Sequence, residues 1–162
     1  MPARNTAVTE PAERVLVITR DFDAPRSLVF KAWTSPEHLM RWWGPHGFTV
    51  LSCDMDLRVG GAWHLRMRSP TGVEDRQVGV IRELVEPELL VFSYAFADES
   101  GKPGHETTVT VRFADLGAKP EGKTRLTVHQ AVFESVKVRD DHVNGWGEAL
   151  DHLADYVKRN QE

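Results

Sequence analysis

The chain has 162 residues, with 20 basic and 24 acidic side chains and a formal net charge of −4. This length predicts a single domain, and a composition of 41% hydrophobic and 27% charged residues is ordinary for a globular protein, which excludes a disordered or fibrous chain. The acidic balance argues against nucleic acid as a partner, because no basic surplus is present to neutralise phosphates.

The cysteine content and the hydropathy pattern predict a cytoplasmic protein that does not enter a membrane. The single cysteine, Cys53, excludes an intrachain disulfide and is expected to be a small core residue. No apolar run approaches the ~20 residues that span a bilayer. Residues 1–5 lack the apolar segment of a signal peptide.

The first quarter of the chain predicts a tail, a strand and two short helices. Residues 1–13 are polar and aperiodic, so we expect a flexible N-terminal tail before a single domain over residues 14–162. The β-branched and apolar segment 14–20 favours a strand. An apolar stripe of helical spacing predicts a helix over 26–34, and a proline at position 36 can begin a second helix, 36–42.

From residue 48 onward, apolar and polar side chains alternate in segments that turn residues separate, which is typical of half-buried strands. The pair Gly60 and Gly61 predicts a two-residue hairpin turn. Short connections of this kind make neighbouring strands antiparallel. The predicted strands are 48–59, 63–68, 76–85, 90–97, 108–113 and 125–132.

The C-terminal part returns to helical spacing, with a helix predicted over 140–159. One face of it is apolar, and this face is formed by Trp146, Ala149, Leu150, Leu153 and Val157. A sheet with one apolar face must be covered, and this helix is the largest cover that the sequence offers. We therefore predict an α+β fold in which a twisted antiparallel sheet curls around one long helix.

Four stretches of the chain together resemble the activator of heat-shock-protein-90 ATPase homologue (AHSA-like) family. This family lies within the START-like (SRPBCC) superfamily, with the polyketide cyclases and lipid-transfer domains. The resemblance implies a helix-grip (START-like, Bet v 1-like) fold, in which a seven-stranded antiparallel sheet grips a long C-terminal helix over a deep apolar cavity. The stretches are RDFDAPRSLVFKAWTSPEHLMRWWGP (20–45), DLRVGGAW (56–63), GVIRELVEPELLVFSY (79–94) and GWGEALDHL (145–153).

The inward-facing side chains have two interpretations, a solid core or the wall of a ligand cavity. The resemblance favours the wall, and such pockets are apolar with a few polar groups that orient the ligand. Gln130 is the polar candidate, because it takes the inward phase of an apolar strand; the alternative is that it bonds to backbone at a strand end. The predicted ligand-binding residues are Trp63, Met67, Phe92, Tyr94, Phe113, Gln130, Trp146 and Leu150.

Two further features each leave two interpretations open. Gly145 and Gly147 indicate either a close approach of the helix backbone to the sheet or ligand, or a fraying first turn. Trp42 and Trp43 either anchor the second short helix or include an exposed partner contact.

No motif predicts catalytic residues, a metal site or a cofactor. The seven His residues lack metal-ligand spacing, and neither a nucleophile elbow nor a phosphate loop is present. The carboxylates considered are expected at solvated edges; they are Asp54, Asp56, Glu74, Glu83 and Glu106.

Three functions fit these expectations. We favour a binding protein for a small apolar or aromatic molecule, acting as a monomer or homodimer and not as an enzyme. The first alternative is a co-chaperone-like interaction module with a chaperone partner and a role in the stress response, although 162 residues leave no room for the extra N-terminal domain of the eukaryotic co-chaperone. The second is a polyketide cyclase-like enzyme that uses one acid or base.

Overall fold

A seven-stranded antiparallel sheet forms the frame of the protein in the computed structural model, which describes residues 11–117 and 122–159. The strands lie in the spatial order β1-β7-β6-β5-β4-β3-β2, so the first strand returns to pair with the last. Their bounds are β1 Leu16–Phe22, β2 Thr49–Met55, β3 Ala62–Arg68, β4 Glu74–Val85, β5 Leu89–Ala97, β6 Thr107–Asp115 and β7 Thr124–Ala131.

Three α-helices complete the fold, and the expected helix-grip arrangement is confirmed. Two short helices, α1 (Arg26–Thr34) and α2 (Pro36–Leu39), follow β1, and the long helix α3 (Val136–Arg159) ends the described chain. The predicted apolar face of α3 is buried, together with Tyr156. This helix packs against β1 and α1, so its buried face closes the core from the side opposite the sheet.

The flexible tail predicted over residues 1–13 lies mostly outside the part of the chain that the structure describes, which begins at residue 11. Residues 1–10 lie outside the described part of the chain, whereas Ala12–Arg14 form a 3-10 turn. Arg14 is anchored at both ends, because its carbonyl accepts a hydrogen bond from the Phe133 amide (3.0 Å) and its guanidinium donates to the Phe133 carbonyl (3.2 Å). The first strand consequently begins at Leu16 and not at residue 14.

Two helix boundaries in the structure also differ from the predicted ones. The long helix begins at Val136 and not at residue 140, because the Ser135 hydroxyl accepts a hydrogen bond from the Val138 amide at 3.1 Å and caps the first turn. The helix α2 ends at Leu39 and not at residue 42, and a turn that brings the Trp43 amide back to the Leu39 carbonyl (3.1 Å) continues it.

The predicted two-residue turn at Gly60 and Gly61 is wrong, since β2 already ends at Met55 and residues 56–61 form a longer loop. This loop is tied to β4, because the Gly60 amide donates to the Ile81 carbonyl (2.7 Å) and the Ile81 amide donates to the Gly61 carbonyl (2.8 Å). These backbone hydrogen bonds to β4, which the local sequence does not reveal, set the length of the loop between β2 and β3.

Among the described residues, no helix is long and apolar enough to cross a membrane.

Gly79 allows β4 to approach the Trp63 indole, and its replacement should therefore be costly. A Cβ at this position would lie 1.8 Å from the Ser93 carbonyl oxygen and 2.4 Å from Trp63 Nε1. We expect Gly79→Ala to lower the free energy of unfolding by about 3 kcal/mol, the upper part of the overpacking range, because the obstructing oxygen belongs to backbone. Urea unfolding measures this. Gly104→Ala is the control, since its Cβ would meet nothing closer than 3.5 Å, and equal stability of the two variants would contradict the packing described here.

Candidate functional site

A cavity of about 210 Å³ lies between the sheet, α3 and the loop that follows α2. It is larger than the ~150 Å³ cavities that hold a benzene ring. Strands β3, β4 and β5 supply one wall, α3 supplies the opposite wall, and the loop after α2 supplies the third. The lining residues are Trp43, Gly44, Pro45, Phe48, Met67, Asp75, Gln77, Tyr94, Phe96, Asp141, His142, Gly145, Trp146 and Ala149.

A second, smaller void of about 20 Å³ lies deeper in the core. Its lining consists of apolar and aromatic residues, and its volume is about that of one water molecule. Trp43 lines both spaces and thus forms part of the wall between them. The lining residues are Trp33, Leu39, Trp43, Met55, Trp63, Leu65, Ile81, Leu90 and Phe92.

Four tryptophans from α1, the loop after α2 and α3 form one cluster beside the larger cavity. The Trp33 and Trp146 rings are stacked at 5.6 Å between centroids, and Trp43 meets Trp146 edge-on at 5.2 Å. Trp42 packs on Trp33 at 4.9 Å and donates to the Ala32 carbonyl at 2.9 Å. Since Trp42 and Trp43 are both buried, the interpretation of an exposed partner contact is wrong and the anchoring role is correct.

The predicted ligand-binding residues fall into three groups. Met67, Tyr94 and Trp146 line the larger cavity. Trp63 and Phe92 line the smaller void. The remaining three lie in the packed core and line neither space; they are Phe113, Gln130 and Leu150.

Gln130 connects the sheet to α3 through side-chain hydrogen bonds. Its Oε1 accepts from Trp146 Nε1 at 2.8 Å, and its Nε2 donates to Thr107 Oγ1 at 2.8 Å. All three side chains are buried. The partners of this amide are therefore other side chains and not strand-end backbone, and its effect on the cavity is to fix the position of the Trp146 ring.

Two of the polar side chains that line the cavity, Asp75 and Gln77, come from β4 and are not among the predicted ligand-binding residues. Asp75 and Gln77 lie two positions apart on the face that also carries buried Ile81. The Oε1 atom of Gln77 accepts from Trp43 Nε1 at 3.0 Å. Among the described residues, the hydrogen-bond acceptor of its Nε2 is the Met67 thioether, a weak acceptor, at 3.9 Å. Burial raises the pKa of the Asp75 carboxyl. Both residues could have been predicted from the sequence, because they occupy inward-facing positions of a strand whose side chains point alternately to the two faces of the sheet.

Tyr94 and His142 form a neutral hydrogen-bonded pair on the cavity wall. His142 Nδ1 lies 2.9 Å from the Val138 carbonyl, which only accepts, so the proton is on Nδ1 and Nε2 accepts from the Tyr94 hydroxyl at 3.4 Å. Burial lowers the pKa of His142. Burial, and secondarily the charge of Asp75, raises the pKa of the Tyr94 hydroxyl.

Contacts to α3 hold the loop at the cavity mouth. The His46 amide donates to a Glu148 carboxylate oxygen at 2.9 Å, and His46 Nδ1 lies 2.7 Å from His152 Nε2. Gly44 and Gly47 both adopt positive φ, which lets the loop turn sharply between α2 and β2. In residues 11–117 and 122–159, no three His, Cys, Asp or Glu side chains come together as metal ligands would.

The glycines of α3 and the cysteine have plain structural surroundings. Gly145 and Gly147 lie well inside α3, so the interpretation as a fraying first turn is wrong. A Cβ at Gly145 would meet Pro45 Cγ at an ordinary 3.7 Å, and one at Gly147 would meet nothing within 4 Å. Cys53 is a partly buried free thiol packed against the core, and burial raises its pKa to about 11, so it is a poor nucleophile.

Comparison with known proteins agrees with this architecture. The sequence profile of a family described as "Activator of Hsp90 ATPase homolog 1-like protein" matches residues 23–158. The chain belongs to this family. No curated protein matches the chain significantly.

Solved structures of bacterial proteins share the fold over almost the whole chain. A protein from Arthrobacter aurescens is 28% identical, with a TM-score of 0.79 and coverage of 94% of this chain and 91% of its own. A protein from Chromobacterium violaceum is 27% identical, with a TM-score of 0.76 and coverage of 90% and 97%. The AHSA1 protein from Silicibacter pomeroyi is 25% identical, with a TM-score of 0.77 and coverage of 90% and 98%.

The position of Gln130 predicts a stabilising role that a mutant cycle can measure. Gln130→Met leaves the Trp146 indole N–H and the Thr107 hydroxyl buried without this partner, so we expect a loss of about 2 kcal/mol or more in unfolding free energy. Combining it with Trp146→Phe should cost less than the sum of the two single changes, with a coupling of about 1 kcal/mol. Additive losses would show that the hydrogen bond does not join β7 to α3.

The raised pKa of Asp75 predicts a stability that falls as this group ionises. Its charged form is less favourable in the folded than in the unfolded chain, so stability is lost as the pH rises from the ordinary carboxyl pKa of ~3.9 through the folded value. Asp75→Asn should therefore raise stability at pH 7. The gain should be well below the ~1.4 kcal/mol of one full pKa unit, because the group is partly solvated.

Urea unfolding between pH 4 and pH 7 tests this, and the gain should shrink towards the acidic end. Glu74→Gln is the matched control, since it removes the same charge from the neighbouring exposed residue, which pairs with Arg66 at 3.4 Å. An Asp75→Asn variant that is less stable than the wild type at pH 7 would contradict the assignment.

Proposed function

We propose that this protein binds a small, mostly apolar molecule in the cavity between β3–β5 and α3. The single observation that carries the proposal is the cavity itself, about 210 Å³ of space beside a packed core. Five of its lining residues are aromatic, which suits an aromatic or aliphatic ligand body. They are Trp43, Phe48, Tyr94, Phe96 and Trp146.

A polar donor in the wall supports the proposal further. The Nε2 of Gln77 has two N–H groups, and its contact in the protein is the Met67 thioether at 3.9 Å. A buried amide donor with so weak an acceptor is free to donate to a hydroxyl or carbonyl oxygen of a ligand. Gln77 thereby takes the orienting role that the sequence analysis gave to Gln130.

The expected affinity for a simple hydrophobe is weak. Burial of ~200 Å² of apolar surface contributes about 5 kcal/mol, at ~25 cal/mol per Å². The cost of association removes part of this value, so we expect a dissociation constant in the millimolar range for a simple hydrophobe. A natural ligand gains on this through oriented polar contacts.

Replacement of Gly145 by leucine tests the proposal, because Gly145 lines the cavity and a Cβ there would make only an ordinary contact with Pro45 at 3.7 Å. The probe is 2-phenylethanol, followed through the indole N–H resonances of Trp43 and Trp146. We expect a saturable shift of these signals in the wild type and at least about a tenfold weaker affinity in Gly145→Leu, because the new side chain occupies the cavity.

Gly147→Leu is the matched control. It makes the same change two residues further along α3, at a position that does not line the cavity. It should leave the affinity within about twofold of the wild-type value, a difference below ~0.5 kcal/mol. Absence of a saturable shift in the wild type, or equal weakening in both variants, would overturn the proposal.

An enzymatic role is the second candidate, and the observation that favours it is the set of acid–base groups on one wall. Asp75, with its raised pKa, the neutral His142 and the Gln77 amide all line the cavity. A carboxylate that takes a proton from carbon and an amide that stabilises the resulting enolate are the parts that enolate chemistry needs. A turnover that depends on the ionisation of Asp75 and is lost in Asp75→Asn would establish this role.

A chaperone partner remains a prediction that the family description supports. Stimulation of a chaperone ATPase by this chain that is equal in the wild type and in Gly145→Leu would identify a surface interaction independent of the cavity. The cytoplasmic location and the monomeric or homodimeric state likewise remain predictions.

A further inference from the structure

Asp75 is a carboxylate in the cavity wall that the protein itself does not neutralise. Within the described residues, no hydrogen bond or ion pair reaches its side chain, although burial already disfavours its charge. The other acidic group at the wall, Asp141, is paired with Lys137 Nζ at 3.1 Å. Asp75 is thus the carboxylate of this wall that is left for a ligand.

The remaining walls are complementary to a cation. No lysine or arginine is among the lining residues, and His142 is the neutral tautomer that accepts from Tyr94. The aromatic lining described above adds ring faces, which attract ammonium groups. The charged residues of the lining, Asp75 and Asp141, are therefore both acidic, and an anionic ligand such as a fatty acid would meet repulsion without a compensating cation among the lining residues.

The geometry points to a ligand that carries a protonated amine on an aromatic or apolar body, with the ammonium group against Asp75 and the body against the aromatic wall. This inference rests on the proposed function of the same cavity and names its ligand class.

Three probes of matched size and shape test the inference: 2-phenylethylamine, 2-phenylethanol and 3-phenylpropionate. At pH 7.5 and low salt the amine should bind about tenfold more tightly than the alcohol, and the carboxylate about tenfold more weakly. Asp75→Asn should bring the amine to within about twofold of the alcohol when both are measured on the variant. Glu74→Gln, which removes an adjacent charge that does not line the cavity, should preserve the full preference.

A second measurement uses the unmodified protein. The carboxyl carbon resonance of Asp75 should shift on titration with the amine and stay in place with the alcohol. An alcohol that binds as tightly as the amine, or a preference that survives Asp75→Asn, would overturn this inference and leave the proposed binding function intact. If none of the three probes binds saturably, the proposed function fails and this inference fails with it.

Discussion

The hydrogen bond from the Trp146 indole to Gln130 is the contact on which the cavity depends. It connects the middle of α3 to β7 in the interior, where the loss of either partner leaves a buried polar group unsatisfied. Because Gln130 also donates to Thr107 on β6, the helix is fixed relative to two strands at once. Trp146 in turn stacks on Trp33 and meets Trp43 edge-on, so the same bond positions the tryptophan cluster beside the cavity.

The cavity is left open where several of the side chains that face it, among its aromatic lining residues, are small or polar. On the helix side, Gly145 and Ala149 lie one turn apart and leave the wall without bulk. On the sheet side, Asp75 and Gln77 occupy inward positions that Ile81 fills with an apolar side chain further along β4. Space between a helix and a concave sheet is therefore retained at one end of the core and closed at the other.

Much of the fold could be predicted from the sequence, because strand alternation and the apolar face of α3 are local patterns. The predicted two-residue turn at Gly60 and Gly61 is wrong because backbone hydrogen bonds to Ile81 hold a longer loop there. The helix α3 begins earlier than predicted because the Ser135 hydroxyl caps its first turn. The site was harder. Gln130 and Gln77 are both inward amides, and only the tertiary structure shows that one bonds within the core while the other faces the cavity.

Several features that lower the stability of the fold lie at the wall of the cavity. A glycine inside a helix costs about 1 kcal/mol relative to alanine, and Gly145 has room for a Cβ that would remove this cost. The Asp75 carboxyl is partly desolvated and has no hydrogen bond or ion pair within the described part of the chain, and the Gln77 amide faces a thioether. Features that weaken a fold and cluster in one place are typical of sites kept for function, because selection for stability alone would replace each of them. A bound ligand would pair with the carboxylate, accept from the amide and fill the space beside Gly145. The features that lower the stability of the fold therefore lie on the cavity wall that the proposed function uses.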